Sequence, residues 1–186
     1  MRFAARIGAA CLLAGLGTAG GATQAQPAGA VAPRDVADRV AHATWQFQQK
    51  DYAAAFAAFS VIAAETDNPN AETMLGLIYQ YGLGAPKDYA QAAQWYQKAA
   101  EQGGAEAQIR LGLLYFNGTG VTKNKVEAYR LLTLGLRRID PEPKAFRDNA
   151  QKVLDDISGA LTLEQQNKAN VQARQTRYRG NLGPQS

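Results

Sequence analysis

Residues 81–103 read YGLGAPKDYAQAAQWYQKAAEQG, and residues 116–135 read FNGTGVTKNKVEAYRLLTLG. Each sets two glycines one residue apart and then runs, through a lysine, into a stretch that reads as a helix. Sliding the chain along itself by 36 residues puts Leu75 on Leu111, Gly76 on Gly112, Tyr79 on Tyr115, Gly82 on Gly118, Gly84 on Gly120, Lys87 on Lys123 and Ala92 on Ala128. Self-similarity at a period of roughly 20–50 residues is the signature of stacked supersecondary units, so this period governs the reading of every segment inside it.

Within each unit the residue types have physical reasons. LGLIY and LGLLY place Leu75, Gly76 and Tyr79, and their equivalents, on one helical face, because positions three and four apart are neighbours on a helix surface. A glycine inside a helix costs up to about 1 kcal/mol relative to alanine, so Gly76 and Gly112 are expected where a second helix comes close, with Ala92 and Ala128 as the facing contacts. The paired glycines end the first helix, one as a left-handed cap and the other in a turn with no room for a side chain. Pro86 and Asp88 then suit the start of the next helix. A phosphate-binding loop is the competing reading of a GxG pair, but no third glycine and no GK[ST] follows, and the pair recurs at the same phase.

The pattern A-x-x-x-L-G-x-x-Y-x-x-G-x-G-x-x-K-D-Y-x-x-A-x-x-W-Y-x-K-A-A-E-Q-G, as it stands from Ala71 to Gly103, closely resembles the Sel1-like repeat. A second copy from Ala107 keeps the first helix and the turn. It departs in the second helix, with Leu131 and Leu132 where the pattern has tryptophan and tyrosine. Upstream, KDYAAAFAAFSVIAA from Lys50 is similar to a second helix at a shift of 37, behind a first helix that resembles a tetratricopeptide unit. The resemblance implies an all-α solenoid of antiparallel helix pairs. The expected organisation is a degenerate pair over 35–66, repeats over 69–104 and 105–139, and capping helices over 141–179. In the last segment Pro141 and Pro143 break the preceding helix, Val153, Leu154 and Ile157 cover the last repeat, Gly159 ends the helix, and Thr162 with Gln165 forms a capping box.

The first 25 residues follow another logic. Arg2 and Arg6 precede the apolar, small-residue run IGAACLLAGLGTAGGA, which fits a secretory signal peptide and is short for a membrane span. Cleavage before Gln26 is expected, with 26–34 a disordered linker and 180–186 a disordered tail. Export to the periplasm, or beyond it into the medium, follows from that reading. Cys11 is the only cysteine and lies in this segment. The remainder then has neither disulfides nor thiol chemistry. It would carry 18 basic against 16 acidic residues, too even a balance to argue for a nucleic-acid partner.

Catalytic constellations are sparse. His42 is the only histidine, so a zinc site would have to be built on carboxylates, and no such spacing occurs. GxSxG and SxxK are absent from the sequence, which removes the usual acyl-transfer signatures. Asp155 and Asp156 are helix neighbours that do not face one another. No metal, cofactor or catalytic residue is expected, and the chain reads as a non-enzymatic, monomeric module with no membrane span once the leader is removed.

Binding is the function such repeats support. On the concave side lined by the first helices, the phase of the repeat selects Thr44 and Phe47, then Thr73, Leu77, Gln80 and Tyr81, then Ile109, Leu113, Phe116 and Asn117 as a groove for another protein or peptide. The resemblance implies an adaptor or regulator in the periplasm or cell envelope. A secreted host-interacting factor is the alternative, and a cell-wall or β-lactam hydrolase a further one; Sel1-like proteins linked to penicillin binding resemble cysteine-paired repeats, a pattern this chain lacks.

Overall fold

In the computed structural model, residues 35–139 and 144–176 are described. They form eight helices and no strand: α1 (Val36–Gln48), α2 (Tyr52–Glu65), α3 (Pro69–Tyr81), α4 (Tyr89–Glu101), α5 (Ala105–Asn117), α6 (Lys125–Leu136), α7 (Lys144–Ala160) and α8 (Leu163–Gln175). The leader, the linker before residue 35, Cys11, Pro141, Pro143 and the tail from 180 lie outside the described residues.

Most helix starts are written in the residue ahead of them; α5, behind Gly104, has no side-chain cap. Asp35, Asp51, Asn68, Asp88 and Asn124 each accept a backbone N–H of the following first turn through the side chain. Such caps satisfy donors that have no partner inside the helix. Asp88 takes two, from Ala90 at 2.8 Å and Gln91 at 3.0 Å. Asp88→Ala is therefore expected to cost about 1 kcal/mol, measured as a lowered urea midpoint with an unchanged slope.

The repeat turn is built the same way twice. Gly82 and Gly118 close α3 and α5 in the left-handed conformation, with φ of 74° and 75°. Their N–H groups bond to Ile78 and Leu114, and the next residues, Leu83 and Thr119, bond to the same carbonyls at 3.0 and 3.1 Å. The turn is then tied back to the first helix, where the N–H of Asp88 donates to the Tyr79 carbonyl and that of Asn124 to the Tyr115 carbonyl. The second glycines, Gly84 and Gly120, have positive φ and lie against the backbone of Tyr52 and Tyr89, the first residues of the preceding α2 and α4. The GxG pair thus does two jobs: one glycine stops a helix, and the other joins neighbouring pairs.

Successive helices pack on one another from α1 to α7, with the closest association within α3/α4 and α5/α6. Phe59, Ile62, Leu75 and Ile78 fill the first core. Tyr96, Leu111 and Leu114 fill the second, among Ala92, Ala93, Ala99, Ala100 and Ala107. The small residues let helices approach closely enough for Tyr96 to lie wholly inside. A side chain at Gly76 would first meet the Tyr96 ring. At Gly112 the first contact is Leu132, which stands where Tyr96 does in the first repeat, followed by the Ala128 carbonyl.

Beyond the repeats, α7 lies against α6 and touches α5, as α5 lies against α4 and touches α3. It takes the place of a further first helix. Val153, Leu154 and Ile157 do cover the last repeat, together with Phe146 and Ala150. One expectation is corrected here: Gly159 does not end α7, which runs on to Ala160. The last helix, α8, packs against α6, burying Ala169 and Ala173 and bringing Asn170 to Tyr129 and Thr176 to Arg130 at 3.5 Å each. The Thr162/Gln165 capping box opens α8 as its spacing predicts.

Candidate interaction face

Of the ten residues selected by repeat phase, the structure leaves only some at the surface. Ile109 has no exposed area and Thr73 retains 6%. Thr73 bonds its hydroxyl to the Pro69 carbonyl at 2.6 Å, and Ile109 abuts Gly135 of α6. Both are packing residues, and neither lines a groove. Gln80 is half-buried and spends its Oε1 on the Tyr96 hydroxyl at 2.6 Å. Phe47 packs edge-on to Tyr52 with centroids 5.2 Å apart, and Thr44 turns its hydroxyl back to Val40. Phe116 packs into the cluster formed with α7, and Leu113 lies against it while keeping part of its surface open.

What remains on α3 is Asn70, Met74, Leu77 and Tyr81, and on α5 it is Glu106, Arg110, Leu113 and Asn117. These two sets are equivalent position by position at the 36-residue shift. They step by three and four, and so make one stripe on each first helix. Met74 and Arg110 therefore replace Thr73 and Ile109, one residue away and about 100° around the helix. Tyr81 is the most open large side chain of the stripe, at 55% exposure.

Arg110 is the electrostatic centre of this face. Its Nε and Nη2 reach Glu106 Oε1 at 2.8 and 2.7 Å, and its guanidinium lies 4.8 Å from the ring centre of Phe146 on α7. Burial acts to lower its affinity for the proton, but Tyr96, Glu106 and Tyr81 outweigh that and hold it above its usual value. The Tyr96 hydroxyl is pushed well above the ordinary tyrosine range, chiefly by burial. Neither is poised for proton transfer near neutrality. The face can offer an aromatic anchor, aliphatic surface from Leu77 and Met74, and a fixed cation.

A second concavity, which repeat phase did not point to, lies between the second helices α4 and α6. It has a volume of about 620 Å³, with Ala93, Leu111 and Tyr115 along it and Gln94, Lys98 and Glu127 beside them. His42 is exposed and stands 6.0 Å from the Trp45 ring. No group of three or more His, Cys, Asp or Glu close enough to hold a metal ion occurs among the described residues. No helix among them is long and apolar enough to cross a membrane.

Comparison with known proteins agrees with this geometry. A model of the Sel1 repeat matches residues 69–104 and 105–138. Among solved structures, the chain is similar to a Sel1 repeat protein from Oxalobacter formigenes, with 38% identity and a TM-score of 0.51 over 53% of this chain and 40% of that one. It is also similar to c5321, a protective antigen present in uropathogenic Escherichia coli strains and displaying an SLR fold. There the identity is 26% and the TM-score 0.64, over 82% of this chain and 34% of that one. The chain thus spans less than half the length of either solved chain. No curated protein matches it.

Proposed function

We propose that this Sel1-repeat protein is an exported adaptor or regulator, which holds an extended segment or helix of another protein in the periplasm or cell envelope. Sel1 repeats are protein-interaction modules as a type, and the observation that carries the reading here is the exposed stripe. Tyr81 stands open on α3 with Leu77 and Met74 partly exposed along the same stripe, beside the partly buried Arg110 and the exposed Asn117 on α5. Aromatic and arginine anchors ringed by neutral contacts are the common anatomy of a binding hot spot. The basic start and apolar run of the first 25 residues support export.

The test is a crosslinked pull-down from the envelope fraction, using the tagged full-length chain beside a Tyr81→Ser/Asn117→Lys variant. Both positions are exposed and end their helices, and a cation at a helix C-terminus is favourable by about 0.3–1 kcal/mol, so the variant should melt within about 2 °C of the parent. A partner captured by the parent and reduced tenfold or more with the variant is the expected result. The same proteins captured equally by both would move the working surface elsewhere, with the α4/α6 cleft next in line. A second reading, secretion and contact with a host, draws on the similarity to a protective antigen. Recovery of the chain from culture medium instead of a periplasmic extract would favour it.

A further inference from the structure

Glu72 stands in the first turn of α3 with only 2% of its surface exposed. Its Oε2 accepts one hydrogen bond, from Gln102 Nε2 beyond the end of α4 at 2.7 Å. No salt bridge to a lysine or arginine is formed by its carboxylate. The equivalent position in the second repeat is Gln108, an amide that is equally buried and donates to the Ala100 carbonyl at 3.1 Å. The fold thus has a place for a neutral side chain here, and the first repeat fills it with an acid. A buried carboxylate that lacks a counter-ion is costly when ionised and nearly free of that cost when protonated.

We propose that the junction of α3 with the end of α4 is a proton-operated joint, closed while Glu72 is protonated and loosened when it ionises. The charges acting on Glu72 are Lys98 and Glu101 from α4 and Asp67 from the connection ahead of α3. Lys98 favours ionisation and the two acids oppose it. Lys98 is also exposed, with its ammonium 4.2 Å from the Trp95 ring centre, so the balance is left to burial. Burial pushes the carboxyl up from 4.5 to about 7. Protonation of the folded chain therefore changes around neutral pH. The stripe of Met74, Leu77 and Tyr81 rides on the same helix. The joint itself does not depend on what that face binds.

The sign follows from proton counting. Between about pH 4.5 and 7 the folded chain holds a proton that the unfolded chain has released, so stability falls as pH rises through this window. The unfolding constant attributable to this group should rise on the order of a hundredfold across it. The experiment is urea denaturation of the full chain and of Glu72→Gln from pH 4.5 to 8.5. Backbone hydrogen exchange at pH 5.5 and 8 is followed in parallel, corrected for the intrinsic rate. The expected result is a parent that weakens with pH relative to the variant, with the two converging near pH 4.5. Exchange should speed up in the first turn of α3 and the last turn of α4, and not in α6 and α7. Parallel pH profiles for the two chains would overturn the joint. So would pH-independent exchange at the α3/α4 junction of the parent alone, a readout that stands even if the variant folds poorly.

Discussion

Gly84→Ala and Gly120→Ala are each expected to cost the chain about 3 kcal/mol or more, enough to lower its melting temperature by roughly 10 °C. Two penalties meet at each site. The backbone has φ of +87° at Gly84 and +72° at Gly120, where a side chain adds about 1–2 kcal/mol of strain. A methyl group would in addition overlap the carbonyl of Tyr52 or Tyr89, with the Tyr52 carbon 2.6 Å away at Gly84 and Tyr89 Cβ 2.7 Å away at Gly120. Backbone cannot swing aside as a side-chain tip does. Relief requires moving the repeat turn off the helix pair before it, and overpacking of that kind adds typically 1–3 kcal/mol.

The neighbouring glycines supply the control. Gly82 and Gly118 are also left-handed, but a methyl there would meet Lys87 Cβ and Lys123 Cβ at 3.2 and 3.0 Å, contacts that a shift of a few tenths of an ångström relieves. Gly82→Asn should be tolerated at a cost under about 1 kcal/mol, because asparagine is accepted at left-handed caps. Gly84→Asn should not be. Thermal melts of the four single variants would show the contrast. Equal losses at Gly82 and Gly84 would mean that conformation alone sets the cost and that the contact with the preceding helix pair contributes nothing.

The period, the turn and two of the helix caps were legible because each rests on a residue whose alternatives are poor. Glycines at 82, 84, 118 and 120, and caps at Asp88 and Thr162, have local reasons that need no tertiary information. The exposed stripe was read one residue out of register at Thr73 and Ile109. A helix turns about 100° per residue, and which of two adjacent positions faces out depends on where α4 and α6 lie. Thr73 also looks polar in sequence, while in the structure its hydroxyl is satisfied within its own helix. The placement of α8 was illegible for a different reason: its buried contacts are Ala169 and Ala173, which fit against α6 or α7 equally well. Glu72 gave no sign of burial beyond its alignment with Gln108, since a glutamate in a first turn ordinarily serves the helix dipole from the surface.

The same repeat position should answer differently in the two copies. Gly76→Ala is expected to cost about 2–3 kcal/mol, at the top of the usual overpacking range, even though alanine brings up to about 1 kcal/mol of helix propensity. Its methyl would lie 2.5 Å from Tyr96 Cδ1 and 2.9 Å from Cζ. That ring has no exposed surface and its hydroxyl is bonded to Gln80, so it has nowhere to go. Gly112→Ala meets Leu132 Cγ at 3.0 Å and the Ala128 carbonyl at 3.3 Å. A branched aliphatic chain can yield a few tenths of an ångström, and the propensity gain offsets much of the contact, leaving a net cost under about 1 kcal/mol. Since Leu132 is what the second repeat writes opposite its glycine, Gly76→Ala combined with Tyr96→Leu should be more stable than the sum of the two single losses allows. A coupling of about 1 kcal/mol or more in that double-mutant cycle is the expected sign of direct contact. Strict additivity, or equal losses for alanine at 76 and 112, would show that the two glycines are kept for some property of the helix itself and not for what stands against them.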